Sequence, residues 1–201
     1  MYSDITGVIL AGGKSSRMGV NKSFLKLGNQ TIIERLVDLM KSIFSEVTII
    51  TNTPDEYKFL NIPLYEDIYK WKGPLAGIHS ALIHSKSERI FVLACDLPFI
   101  SKEMIEYILD YPTAKPVVFC QAGGFHQPLV GIYSKSILPN VENFLSSNDF
   151  SDKSFHTFLK TIDVEIIHPE NLPFYKEELF FNLNTTEDYL KLIDLWQTFT
   201  F

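Results

Sequence analysis

No apolar stretch among the 201 residues approaches the roughly 20 needed to span a membrane, and Met1-Tyr2-Ser3-Asp4 has neither the charge nor the apolar length that opens a signal peptide. The expectation is a cytoplasmic protein without membrane contact. Positive charge is scarce as well. Lys and Arg number 18 against 24 Asp and Glu, for a net charge of −6 and a pI near 5.4, which argues against the basic face that broad nucleic-acid binding requires. There are only 2 cysteines, Cys95 and Cys120, both in apolar strand-like runs where a buried, reduced thiol is the default; neither is assigned a catalytic role. The 5 histidines are dispersed without Cys/His or H-x-x-x-H spacing, so a zinc site is not expected. No repeat, linker or low-complexity tract divides the chain. Its 46% hydrophobic content supports a substantial core, and the expectation is one α/β domain over residues 1–201.

The most informative stretch is Leu10-Ala11-Gly12-Gly13-Lys14-Ser15-Ser16-Arg17-Met18-Gly19, followed by Lys22. It begins where the apolar, β-branched run Ile5–Leu10 ends, and such a run suits a strand buried on both faces. Ligands bind just beyond the ends of strands of this kind. Gly12 and Gly13 lack Cβ atoms, so their N–H groups can approach phosphate oxygens closely. Arg17 and Lys22 add positive charge in a segment without an acidic residue. Two commoner phosphate loops fail on spacing. Gly13-Lys14-Ser15 imitates the end of a Walker A motif, but Val8 stands where that motif needs its first glycine, and Gly7 is one residue too early. The dinucleotide fingerprint G-x-G-x-x-G is absent too.

Downstream, helical spacing of Ile32, Ile33, Leu36, Val37, Met40 and Ile43 predicts a core-facing helix over 31–44, with Thr31 as N-cap before Glu34. Strands are expected at 47–51 and 62–65, the first ended by Asn52-Thr53-Pro54-Asp55. Gly73-Pro74 introduces a helix, and the apolar run 90–95 stops abruptly at Asp96. Ser101 caps the next helix. Strand and helix alternating at this pitch predict a mostly parallel sheet covered on both faces. The second half reads as a hairpin or irregular insertion around Gly123-Gly124, helices near 137–145 and 155–159, and a strand at 164–167. A short strand at 179–182 and an amphipathic helix over 185–199, opened by a Thr185/Asp188 capping box, close the chain.

Asp96 follows six apolar strand residues, which places its carboxylate at the carboxyl edge of the sheet beside the first loop. A hard carboxylate next to triphosphate oxygens is the usual way to hold Mg²⁺, with phosphate and water completing the coordination; a loop or N-cap aspartate is the plainer alternative. Asp67, after a short strand, reads as a loop residue when taken alone. Asn182 and Asn184 alternate, so both could project to one side of a strand end or cap the last helix. Gly73-Pro74-Leu75-Ala76-Gly77 could let a base or ribose approach the backbone. His126-Gln127-Pro128 could meet an acceptor substrate, although a surface histidine is the plainer reading of His126.

Together these segments resemble the molybdenum cofactor guanylyltransferase (MobA) family of nucleotidyltransferases. The resemblance rests on Leu10-Ala11-Gly12-Gly13-x-Ser15-x-Arg17-Met18-Gly19 with Lys22, Gly73-Pro74-Leu75-Ala76-Gly77, Cys95-Asp96-Leu97-Pro98-Phe99, and Asn182-x-Asn184-Thr185 with Glu187-Asp188, in family order from Leu10 to Asp188. Leu-Ala-Gly-Gly favours this family over its cytidylyltransferase relatives, whose loop reads Leu-Ala-Ala-Gly. Thr186 departs from the family's proline, which bears on the start of the helix more than on chemistry. The resemblance implies a three-layer α/β/α sandwich with a mostly parallel, Rossmann-like central sheet of the nucleotide-diphospho-sugar transferase type. It further implies that Leu10, Ala11, Gly12 and Gly13 line the nucleotide, Lys22 contacts phosphate, Asp67 helps fix the nucleoside and Asp96 binds Mg²⁺. Asn52 lies near a family position that touches guanine, and Asn184 would be a second polar ligand. The implied reaction transfers GMP from GTP to the terminal phosphate of molybdopterin or molybdenum-molybdopterin, with Arg17, Lys22 and Asp96 as catalytic residues. Contact with other molybdenum cofactor proteins is also implied. The alternatives are a CTP-dependent or sugar-phosphate nucleotidyltransferase of the same fold, or a nucleotide-sensing domain without turnover.

Overall fold

A computed structural model describes residues 1–12, 21–147 and 154–198. The chain runs through β1 (Ile5–Leu10), a small antiparallel ribbon of β2 (Lys26–Leu27) and β3 (Gln30–Thr31), α1 (Ile32–Ile43), β4 (Val47–Ile50) and β5 (Leu64–Tyr65). It continues through α2 (Pro74–His84), β6 (Arg89–Ala94), α3 (Lys102–Leu109), β7 (Val117–Ala122) and β8 (Phe125–Ser134), then α4 (Leu138–Ser146), α5 (Phe155–Leu159), β9 (Val164–Ile167) and α6 (Thr186–Thr198). Seven strands form one sheet in the order β5-β4-β1-β6-β8-β7-β9. The neighbours β5, β4, β1 and β6 are mutually parallel, whereas β8 runs antiparallel to β6 and β7.

Period-2 alternation splits the side chains of the central strands between two cores. Ile5 and Ile9 of β1, with Phe91 and Leu93 of β6, pack against α1 and α3. Val8 and Leu10, with Ile90 and Val92, face α2 and α4 instead. The sheet is therefore sandwiched between helices, and its central strands read as unbroken apolar runs because both faces are dry. Helix α1 has the capping box expected at Thr31 and Glu34, and it buries Ile32, Ile33, Leu36, Val37, Met40 and Ile43. Each such side chain contributes about 1.5–3 kcal/mol relative to exposure.

The expected hairpin is the β7–β8 pair. Its turn, Gly123-Gly124, has φ of 57° and 78°, the left-handed geometry that a two-residue hairpin turn of matching twist requires. Pairing slips after Phe119, leaving a bulge around Pro128, which has no N–H to give to a ladder. The strand expected at 62–65 is reduced to β5, because Pro63 offers only its carbonyl, to Ile49 N–H at 3.0 Å. No strand forms at 179–182. Glu177–Phe180 is a 3₁₀ turn that buries Leu179 and Phe180 in the core on the α1 face, so those apolar residues serve packing rather than pairing. Among the described residues, no helix is long and apolar enough to cross a membrane.

Candidate active site

Four parallel strands end along one edge, and several of the residues singled out from the sequence sit just beyond them. Ala11 and Gly12 follow β1, Thr51 and Asn52 follow β4, Asp67 follows β5, and Cys95 and Asp96 follow β6. Backbone hydrogen bonds fix these segments relative to one another: Ala11 N–H to Ile50 O at 2.9 Å, Thr51 N–H to Tyr65 O at 2.8 Å, and Cys95 N–H to Leu10 O at 3.1 Å. They enclose two adjoining cavities of about 360 and 550 Å³ that share Gly12, Thr51, Asn52, Trp71, Cys95 and Asp96. Each falls within the range of small-molecule sites.

The smaller cavity has the larger polar share of the two. Lys22 enters it from a 3₁₀ turn whose start is capped by Asn21, and its ammonium donates to Asn184 Oδ1 at 3.0 Å. The segment before α6 is held to the strand end by Leu183 N–H, which donates to Asp96 O at 2.9 Å. Asn184 thus reaches the site through Lys22. Asn182 turns away, its amide donating to Phe180 O at 3.2 Å, so the two asparagines do not act as one pair.

The larger cavity has apolar walls from Leu10, Ile50, Pro74 and Leu129, with Asn52, Asp67 and the glycines Gly73 and Gly77 among them. Asn52 donates to Asp67 Oδ2 at 2.7 Å, while its own Oδ1 is buried without a partner among the described residues. Desolvation raises the Asp67 carboxyl above its usual pKa, and the hydrogen bond from Asn52 opposes the rise. The site therefore presents acceptor oxygens on an apolar background, which suits a ring edge carrying N–H donors.

Asp96 Oδ1 is also buried and unpartnered among the described residues. Burial raises its pKa, and the charge of Lys22 pulls the other way. An orphaned carboxylate oxygen beside a lysine is costly in a free protein, and it fits a hard cation with oxygen ligands. No group of three His, Cys, Asp or Glu among the described residues could hold a metal, and Asp96 is the carboxylate that lines both cavities. Gly12 supports the same reading. Among the described residues a Cβ there would meet nothing within 4 Å, so neither packing against them nor a left-handed backbone calls for glycine, and the open space leaves room for a ligand to approach the backbone.

Gly13 and Arg17 lie outside the described residues. His126 is exposed on β8 and lines neither cavity; its ring lies edge-on to Phe119 at 5.5 Å. Sequence reading missed Asn21, Ser23, Thr51, Thr53, Tyr57 and Trp71, all of which line the smaller cavity. Thr51 and Thr53, beside the singled-out Asn52 at a strand end, were within reach of the same argument, whereas Asn21, Ser23 and Tyr57 come together only through a local network. In it, Asn21 donates to Tyr57 OH at 3.0 Å and Tyr57 donates to Ser23 Oγ at 3.3 Å.

A mostly parallel sheet with Gly12 just past its first strand, and with Lys22 and a carboxylate from the end of the neighbouring strand lining the same cavity, has the frame of a nucleotidyltransferase-type site. The sequence profile of the family described as "MobA-like NTP transferase domain" matches residues 7–161. A Carboxydothermus hydrogenoformans protein named "Probable molybdenum cofactor guanylyltransferase" is 42% identical over 197 residues, covering 96% of this chain and 97% of the relative. The "Molybdenum cofactor guanylyltransferase" of Syntrophotalea carbinolica is 30% identical over 190 residues, covering 92% and 89%. In structure, the molybdopterin-guanine dinucleotide biosynthesis protein A of Archaeoglobus fulgidus superposes with a TM-score of 0.82 at 21% identity, covering 97% of this chain and 100% of that one; the likeness is one of fold. The chain belongs to the MobA-like NTP transferase family.

Proposed function

We propose that the protein transfers GMP from GTP to the terminal phosphate of molybdopterin or its molybdenum-loaded form, giving the guanine dinucleotide cofactor and pyrophosphate. The observation that carries this reading is the pairing of two unsatisfied acceptor sites in one crevice: Asp96 Oδ1 near Lys22, and Asn52 Oδ1 near Asp67. The first suits a metal-bound triphosphate. The second suits the N–H donors on the edge of guanine, a donor pattern that cytosine lacks. The names of the relatives support the same reading.

A phosphate monoester is already an ionised nucleophile near neutral pH, so no covalent enzyme intermediate is required. The protein's task is to bring it in line with the α-phosphorus and to neutralise the departing pyrophosphate. Lys22 carries positive charge to the phosphates, with Asn184 fixing its ammonium. Leu10, Ala11 and Gly12 line the nucleotide with their backbone, joined by Gly13 and Arg17 of the same loop. Asp96 would hold Mg²⁺, which when bound offsets negative charge on the triphosphate oxygens. Asp67, held by Asn52, orients the nucleoside. The direct test is pyrophosphate release with molybdopterin as acceptor and each nucleoside triphosphate in turn. The reading predicts turnover with GTP above all; equal or greater turnover with CTP moves the protein to the cytidylyltransferases.

A further inference from the structure

Lys22 sits on a turn too short to hold itself. The 3₁₀ segment Lys22–Phe24 is closed by Phe24 N–H to Asn21 O and Leu25 N–H to Lys22 O, both at 3.1 Å. Bonds of this type are poorly aligned, and so short a helical nucleus is unfavourable by itself. The two residues flanking Lys22 are tied instead to one buried side chain. Tyr57 lies on the segment Pro54–Leu60, just after the end of β4, and its hydroxyl accepts from Asn21 Nδ2 at 3.0 Å and donates to Ser23 Oγ at 3.3 Å. The other hydrogen of the Asn21 amide goes to Glu56 Oε2 at 3.0 Å, and Asn21 Oδ1 accepts from Ser23 N–H at 3.1 Å. Ser23 also makes a side-chain hydrogen bond with the Cys95 thiol, next to Asp96. Tyr57 and Ser23 are each 1% exposed, and the Tyr57 ring lies 5.0 Å from that of Phe24, so ring and hydroxyl hold the turn together.

We propose that Tyr57 is the positioning residue for Lys22: its hydroxyl clamps both neighbours of the lysine and so fixes where the ammonium stands in the crevice. The inference rests on the guanylyl-transfer reading above. Tyr57 lines the smaller cavity, but the single proton of its hydroxyl goes to Ser23, which leaves no donor for a phosphate oxygen. Its effect on the reaction therefore passes through Lys22. A lysine carries its charge on a flexible four-carbon stem, so Asn184 at the tip and the Tyr57 clamp at the base together define its reach. Without the clamp the ammonium sweeps a wider arc, and a misplacement of about 1 Å can cost as much as a hundredfold in rate.

Tyr57→Phe keeps the ring against Phe24 and deletes the hydroxyl alone. With Mg·GTP as donor and molybdopterin as acceptor, kcat is expected to fall about tenfold. The loss falls on kcat because Lys22 meets charge that grows on the departing pyrophosphate, a contact stronger in the transition state than in the ground state. Inhibition by guanosine, which carries the base without phosphates, should stay as in the parent, whereas a crevice loosened as a whole would weaken it. Ser23→Ala removes the acceptor of the same hydroxyl and should give the same pattern; it carries the test alone if Tyr57→Phe does not fold. In a Lys22→Ala background, Tyr57→Phe should cost little further, because the residue it positions is gone. An unchanged kcat in the folded variant, the same loss with and without Lys22, or weakened guanosine inhibition overturns the proposal while leaving guanylyl transfer intact. Absence of GTP turnover by the unaltered chain overturns both.

Discussion

Replacing Asp96 with asparagine preserves side-chain volume and removes a charge, so it separates what the carboxylate costs the fold from what it contributes to the reaction. Burial raises the carboxyl above the 3.8 of an ordinary aspartate, against the pull of Lys22, and Oδ1 has no partner among the described residues. With the folded pKa above the unfolded one, the native state holds the proton more tightly than the unfolded chain does. The penalty for ionisation is therefore absent below pH 3.8, grows as pH rises through the folded value, and is complete above it. Each unit of displacement corresponds to about 1.4 kcal/mol, discounted here because the residue retains some contact with solvent. Each kcal/mol moves Tm by about 2–4 °C for a chain of this size. Asp96→Asn should thus raise Tm of the ligand-free protein at pH 7.5, with a gain that shrinks toward pH 4. At the same time kcat/KM for pyrophosphate release should fall by about a hundredfold or more, at least ~2.7 kcal/mol of transition-state stabilisation. Scanning calorimetry across pH and a coupled pyrophosphate assay read the two effects. A lower Tm at pH 7.5 would refute the argument that this carboxylate is held at a cost, and near-wild-type turnover would refute its role.

Lys22→Ala should also lower kcat/KM by about a hundredfold, and it should lower Tm at neutral pH because the ammonium no longer offsets the charge of the buried Asp96 carboxylate. Steady-state kinetics decide the point, and near-normal turnover removes Lys22 from the reaction. Gly131→Ala should fail on packing, since a Cβ there would lie 2.3 Å from the Val118 carbonyl oxygen and 2.9 Å from Phe119 Cβ at the centre of the β7–β8 pair. A cost of about 1–3 kcal/mol or more is expected in urea unfolding, and an unchanged midpoint contradicts the register. Burial raises the Cys95 thiol to about 11 and Cys120 to about 12, so both stay protonated near neutral pH. Iodoacetamide at pH 8 should label the native protein far more slowly than the unfolded chain. Labelling of Cys95 at the free-thiol rate would show that the strand end is open.

Much of the fold is legible because buried parallel strands are continuous apolar runs and helix starts are chemically marked. Thr31/Glu34, Ser101 and Thr185/Asp188 all form the caps their spacing predicts. The failure at 179–182 has a physical cause: Leu179 and Phe180 are apolar enough for a strand, but their burial partners belong to the core on the α1 face, a fact of tertiary packing that no local pattern contains. In the same way, Lys22, Asp67 and Asp96 could be found from strand ends and motifs, whereas the Lys22–Asn184 hydrogen bond joins residues 162 positions apart. Trp71 was not legible either, because its place in the lining of both cavities comes from tertiary structure that no local pattern contains.

Equilibrium binding of GTP, CTP, ATP and UTP to the purified protein with Mg²⁺ present, measured by calorimetry, tests the central claim most directly. The account predicts clear preference for GTP, and loss of the metal-dependent part of that binding in Asp96→Asn. Preference for CTP would contradict the assignment of Asn52 and Asp67 to guanine, and no binding by any of the four would contradict the nucleotide cradle itself.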